Sequence, residues 1–379
     1  MMARAHLCLL APVALLAPLP ATAQEGGAEP AVELSLGYTA DVAATVAGGS
    51  DHKVRYLDNF DVVADADLDR LAGWRGARAH VYVLSNFGRR PNDSAGTLEG
   101  VDNIEVGKQA VRLFEAWVEQ DLGGDASVLA GLYDLNSEFY ANDAAGLLIS
   151  PQFGIGSEFS ATGPNGPSIF PSAALSLRFR TGFDDGNGYF QAAALNARAQ
   201  TWGDTGGIDA SFADGVLLIG EAGRMMGPAR LSLGAWTYSK KQDDVFETDG
   251  LGDPIRRAAW GVYGLAEARL VGGDDEPHID AFVRGGVSDG HTSDFSGAFS
   301  VGVHMVRTSA SFRERTRADG DNPSRHEYGI ELTYSDRVAP FLLVQPDLQI
   351  IGNPSGLSDA PTVVVTTLRV TVEIPTLGF

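Results

Sequence analysis

Polar and apolar side chains alternate one by one along much of this sequence, in segments of about ten residues, and that pattern leaves few folds open. A β-strand points successive side chains to opposite faces, so each segment reads as a strand with one wet and one apolar face. In Arg78 to Phe87, the residues Arg78, His80, Tyr82 and Asn86 alternate with Ala79, Val81, Val83 and Phe87. In Leu113 to Gln120, Glu115, Trp117 and Glu119 oppose Phe114, Ala116 and Val118. Arg230, Ser232, Trp236 and Tyr238 likewise oppose Leu231, Leu233, Ala235 and Thr237. Late in the chain Gln345, Asp347 and Gln349 alternate with Val344, Pro346, Leu348 and Ile350, and Thr367, Arg369, Thr371 and Glu373 with Leu368, Val370, Val372 and Ile374.

A soluble antiparallel sandwich would show the same alternation, and the two differ in which face is wet. Here the polar face mixes Arg, Glu, Gln and Tyr, as a hydrated lumen would. The expected fold is therefore all-β, an antiparallel transmembrane β-barrel. Segments near 31–41, 54–66, 74–87, 109–121, 125–133, 171–181, 188–198, 213–223, 229–239, 257–270, 276–288, 296–307, 325–335, 339–351 and 360–374 read as strands. Single-chain bacterial barrels have even strand numbers, so these fifteen predict sixteen, with the missing strand placed at Phe153 to Ser160. A barrel of that size can hold a water-filled channel.

The ends and the composition agree with an exported barrel. Arg4 and His6, an apolar stretch Leu7–Leu19 and then Ala21-Thr22-Ala23 match a signal peptide with cleavage after Ala23. That apolar stretch is too short to span a bilayer as a helix, and no later one approaches the length of a helical span. The expected division is a signal peptide at 1–23 and a single barrel at 24–379. The only cysteine, Cys8, lies in the part to be removed, which leaves no thiol for a disulfide or metal. The 379 residues carry 28 Lys and Arg against 49 Asp and Glu, a net charge of -21 that argues against nucleic acid as a partner. Abundant glycine (46 residues) suits many short turns.

From Asp134 to Pro171 the rhythm breaks, and three prolines close together exclude a regular central strand. Irregular backbone at membrane depth is tolerated where it faces water or folds into the lumen. The stretch is either a constriction loop folded inward or an ordinary extracellular loop.

Several stretches resemble the carbohydrate-selective porin family OprB. They are Asn103-Ile104-Glu105, Arg112-Leu113-Phe114-Glu115-Ala116-Trp117-Val118-Glu119-Gln120 and Ala130-Gly131-Leu132-Tyr133-Asp134-Leu135-Asn136-Ser137-Glu138-Phe139. Phe153-Gly154-Ile155-Gly156 and Gly166-Pro167-Ser168-Ile169-Phe170-Pro171 follow, then Glu331-Leu332-Thr333-Tyr334 and Val344-Gln345-Pro346-Asp347-Leu348-Gln349-Ile350-Ile351-Gly352-Asn353-Pro354. The resemblance implies a sixteen-stranded outer-membrane channel that admits glucose and related sugars down their gradients. Its partners would be small sugars, outer-membrane lipid and lipopolysaccharide, with the chain a monomer or a homotrimer. The terminal Phe379 resembles the last aromatic of outer-membrane proteins, although Pro375 to Phe379 do not keep strand alternation. Residues from about 200 to 320 match only loosely.

A sugar needs donors, acceptors and a flat apolar surface for its CH face. Arg78, His80, Tyr82, Glu115, Trp117, Glu119, Arg178, Trp236, Arg284 and Arg369 supply such a set on the polar registers, and Asp134, Asn136 and Glu138 could line a constriction. Each has a plainer reading. Trp117 and Trp236 could sit in an aromatic girdle at the bilayer boundary. The charged residues could pair across strands and stiffen the wall, and Asp134, Asn136 and Glu138 could cap a turn. Catalysis finds no support in motif: neither the H-E-x-x-H spacing nor a G-x-S-x-G elbow is present, so no enzyme and no cofactor is expected. Asp319 with Gly320-Asp321-Asn322 lacks the rest of a calcium loop, and Asp274-Asp275-Glu276-Pro277 reads as a solvated turn.

Overall fold

A computed structural model describes residues 30–272, 278–305, 308–316 and 326–379. The signal-peptide segment, the Asp274–Pro277 turn and Asp319–Asn322 lie outside the described residues. The strands are β1 (Val32–Ala47), β2 (Val54–Asp67), β3 (Ala77–Gly88), β4 (Ala110–Gly123), β5 (Ala126–Tyr133), β6 (Ala174–Phe183), β7 (Gly188–Asn196), β8 (Val216–Met226) and β9 (Ala229–Tyr238). They continue with β10 (Gln242–Thr248), β11 (Pro254–Arg257), β12 (Trp260–Val271), β13 (Ile279–Ser288), β14 (Gly297–Met305), β15 (Thr308–Thr316), β16 (Tyr328–Thr333), β17 (Asp336–Ala339), β18 (Leu342–Gly352) and β19 (Val363–Gly378).

Sequential antiparallel pairing runs from β1 to β9, then through β12 to β16, then β18 and β19. β19 pairs in turn with the free side of β1, Ala43 opposite Thr367. Sixteen strands thus pair in a ring, the number the sequence predicts. β10 and β11 form a separate hairpin, and β17 extends the connection beside β18. Short turns such as Gly227-Pro228 gather at one end, and long connections at the other. This is the asymmetry of an outer-membrane barrel.

The ring is turned inside out relative to a soluble protein. Leu177, Leu218, Leu233, Val262 and Leu368 are exposed on its outer face, while Asp41, Asn59, Gln191, Glu221, Glu331 and Gln349 are buried within. The two sets occupy opposite strand registers, as the alternation requires. Among the described residues no helix is long and apolar enough to cross a membrane.

Three expectations need correction. The sixteenth strand is Thr308–Thr316, whereas Phe153 to Ser160 form a 3-10 turn and a helical turn. Thr308–Thr316 escaped notice because only Ala310 and Phe312 mark its apolar register before Glu314 interrupts it. Phe114 does not share the outer face with Val118. A bulge between the Tyr82–Glu115 and Val83–Leu113 pairs makes it the extra residue, and it packs inward with Leu84, Leu132 and Ala173. The last strand also runs past 374, with its alternation broken as the sequence shows. Another bulge opposite Ser35 absorbs Pro375, which has no N–H to give, and pairing resumes until Phe379 N donates to Val32 O.

Residues 134–173 fold into the lumen, which settles the two readings of that stretch. Glu221 on β8 accepts from Tyr140 N at 2.8 Å, and Arg230 on β9 donates to Ala141 O at 2.8 Å. Glu331 on β16 accepts from Ile149 N and Ser150 N at 2.5 and 3.1 Å, and Gln345 on β18 donates to Leu147 O at 2.5 Å. Backbone groups that could find no partner in a dry interior are satisfied by wall side chains. Apolar packing adds to this: Phe159 stacks on Trp236 at 4.9 Å and Tyr140 on Tyr263 at 4.0 Å. A second segment, residues 89–109, also enters. Val101 and Asp102 are buried, Val101 O accepts from Gln349 and Asn103 N donates to Ile149 O.

Candidate solute pathway

The β3–β4 pair builds one wall of the lumen. Its register sets Arg78 opposite Glu119, His80 opposite Trp117 and Tyr82 opposite Glu115. Arg78 Nε donates to Glu119 Oε2 at 2.5 Å, His80 Nδ1 meets Asp65 Oδ1 at 2.7 Å, and Tyr82 Oη donates to Asp61 Oδ1 at 2.6 Å. His80 stacks on Trp117 at 4.8 Å, and edge contacts continue the file through Tyr82 and Phe114 to Phe170. Trp117 thus belongs to the lumen wall. Trp236 also faces inward, but Phe159 covers it.

Other expected residues hold the inward segments. Arg178 is 1% exposed and sits between Glu119 at 3.0 Å and Glu138 at 2.8 Å. Arg284 donates to Gly154 O at 3.0 Å and to Gln152 O. Arg369 grips Asp41 through two nitrogens and reaches Asn103 Oδ1 at 2.7 Å. Glu115 accepts from Asp134 N at 3.0 Å, and the Asp134 carboxylate caps Asn136 N at 2.9 Å. Asn136 Nδ2 in turn donates to Phe139 O.

Between the loop and the β1–β3 side lies a cavity of about 570 Å³. Tyr82, Asp134, Asn136 and Arg369 line it, so four of the thirteen expected residues share one space. Arg78 and Glu119 instead line a wider cavity of about 1110 Å³ at the short-turn mouth. Sequence reading overlooked Asn59, Asp61, Glu99, Asp102, Asn103, Gln152 and Phe170 in the smaller cavity. Asn59 and Asp61 stand on the polar register of β2 and could have been found by alternation. The 99–103 residues carry no period to betray them.

Burial shapes the loop carboxyls. Glu158, fully covered beside Tyr140 Oη and Arg284, is pushed up by burial to about 7, against the lowering pull of Arg284. Burial, reinforced by the charge of Glu115, pushes Asp134 up to about 8. Burial and the neighbouring Asp41 hold Asp102 well above the ordinary range, with Arg369 opposing. On the long-loop side Asp244, Glu247 and His291 face one another, and Arg257 pairs with both carboxylates there.

Residues 51–374 match the family described as carbohydrate-selective porin, OprB family. No curated protein matches the chain. Among solved structures, the high-pH form of Pseudomonas putida OprB is similar with a TM-score of 0.78 at 22% identity, over 90% of this chain and 94% of that one. Its low-pH form gives 0.58 at 18% identity, covering 90% and 92%. An anion-selective porin from Comamonas acidovorans gives 0.56 at 12% identity, covering 91% and 100%.

Proposed function

Since the chain belongs to the carbohydrate-selective porin family OprB, an outer-membrane channel family, we propose that it passes glucose-like sugars by passive diffusion into the periplasm. The supporting observation is the cavity beside the in-folded loop. There Tyr82 and Phe170 offer ring surface, and Asn59, Asp61, Asp134, Asn136 and Arg369 offer donors and acceptors within one small space. A neutral polyol can exchange water for these groups one at a time. No deep binding energy is needed, and a channel must release what it admits.

The remaining expectations complete the proposal. Cleavage after Ala23 releases a single barrel at 24–379, whose apolar band meets outer-membrane lipid and whose long-loop end meets lipopolysaccharide. The barrel acts as a channel rather than an enzyme. Chemical cross-linking in detergent distinguishes a monomer from a homotrimer. The competing reading is a plugged structural or adhesive barrel, favoured by the two segments that occupy the lumen.

Planar-bilayer conductance of the purified protein is the test. Glucose should reduce the ion current in a saturable way. An open current indifferent to glucose would make the chain a general porin on the same scaffold, and absence of current would make it a plugged barrel.

A further inference from the structure

We propose that the constriction selects against negative charge, so that neutral and amino-bearing sugars pass while sugar acids are held back. This rests on the channel reading above.

The smaller cavity is lined by five carboxyl side chains, Asp61, Glu99, Asp102, Glu105 and Asp134, against one guanidinium, Arg369. That guanidinium is already engaged by Asp41, at 2.9 and 2.7 Å. Asp61 draws on neutral donors, Tyr82 Oη and Asn59 Nδ2 at 2.6 Å each. Asp134 accepts from a backbone N–H. Asp102, covered completely at its side chain, lies 3.5 Å from the Arg369 guanidinium, and Glu105 pairs with Arg90 at 3.2 Å.

The short-turn mouth repeats the imbalance, with seven carboxylates around its cavity against Arg70 and Arg78. Both arginines are paired there, with Asp67 at 3.2 Å and with Glu119. Even leaving aside Asp102 and Asp134, whose carboxyls burial pushes up, three carboxylates to one guanidinium line the smaller cavity and seven to two the mouth, so a solute meets net negative charge at two successive stations. A narrow lumen with low-dielectric walls concentrates such a field. An anion gains nothing at either station that would offset the loss of its hydration. An ammonium group finds carboxylates at both, and a neutral sugar is indifferent to the potential.

Asp134 tunes the effect. Glu115 on β4 and Tyr82 on β3 face it. With its carboxyl pushed up to about 8, it serves as an O–H donor near neutrality and adds negative charge above that.

The test uses the full-length barrel in two assays. In a planar bilayer under a KCl gradient at low salt, the reversal potential should report preference for K⁺ over Cl⁻, larger at pH 9 than at pH 6. In liposome swelling, gluconate should enter about tenfold more slowly than glucose, with glucosamine at least as fast as glucose. Raising the salt to about 1 M cuts the screening length to about 3 Å and should shrink the ionic preference without any mutation. D61N, which keeps the side-chain shape, should weaken the K⁺ preference. A reversal potential of the anion sign, or gluconate entry equal to glucose entry, overturns the proposal. If glucose itself fails to enter, the sugar reading falls, while the reversal potential still decides the sign of selection.

Discussion

The Glu158 carboxylate lies against the Gly286 backbone, where a Cβ would occupy its place, with Tyr140 Oη at 3.0 Å and Arg284 and Glu99 nearby. Its pKa is raised from 4.5 to about 7, so the native loop holds the protonated form more tightly than the unfolded chain does. The stabilisation is therefore complete below about pH 4.5 and is lost as pH rises through about 7, a swing on the order of 3 kcal/mol. Between pH 5 and pH 8.5 the in-folded loop should loosen, seen as growing noise in single-channel current. E158Q should remove that pH dependence. Arg178 makes a different point. R178M removes the cation shared by buried Glu119 and half-buried Glu138, leaving them only Arg78 and the more distant Arg180, and should destabilise the barrel by about 1–3 kcal/mol. A lowered midpoint for the heat-induced gel-mobility shift would register it.

At the scale of elements, each strand separates lipid from lumen by its register alone. β9 places Leu233, 73% exposed, on the outer face between inward-facing Ser232 and Gly234. L233R puts a cation in the apolar band and should cost about 2–4 kcal/mol at the bilayer midplane, measurable by denaturant titration in liposomes. The in-folded loop belongs to the same scale. Replacing residues 141–165 by a short Gly/Ser linker should raise conductance severalfold while the gel-mobility shift persists. These elements also show what the sequence made legible. Fifteen of the sixteen strands, the wet face and the irregular loop followed from alternation, because burial acts on every second residue of a strand. The Phe114 bulge did not follow, since an inserted residue breaks the period on which the reading depends. The 89–109 segment stayed hidden because side chains that bond to a distant wall leave no local pattern. For the same reason Arg178 and Arg284 read as solute contacts when the structure makes them anchors of the loop. Tyr82 and Arg369 read only as lumen-facing, and Asp134 and Asn136 only as loop residues; the fold alone reveals that the four share one cavity.

At the scale of the whole molecule, part of the net charge of -21 lies around the lumen, where carboxyls outnumber arginines in both cavities. β1 and β19 meet along nearly their full lengths, and Asp41 binds Arg369 across 328 residues of chain. Removing Pro375–Phe379 takes away the last pairs with Glu33 and Leu34 and the Phe379 bond to Val32, and should slow refolding into detergent more than it lowers the final midpoint. Contacts this far apart in sequence form late, after the entropy of closing the longest loop has been met. Every other strand pair can zip to its neighbour as the chain is delivered, but this one must wait for the end. Until then the growing sheet has two open edges, each ready to template another chain. Assembly is thus a race between the first strand meeting the last and either of them meeting a stranger, and whatever escorts the chain to the membrane must keep those two edges apart from all others.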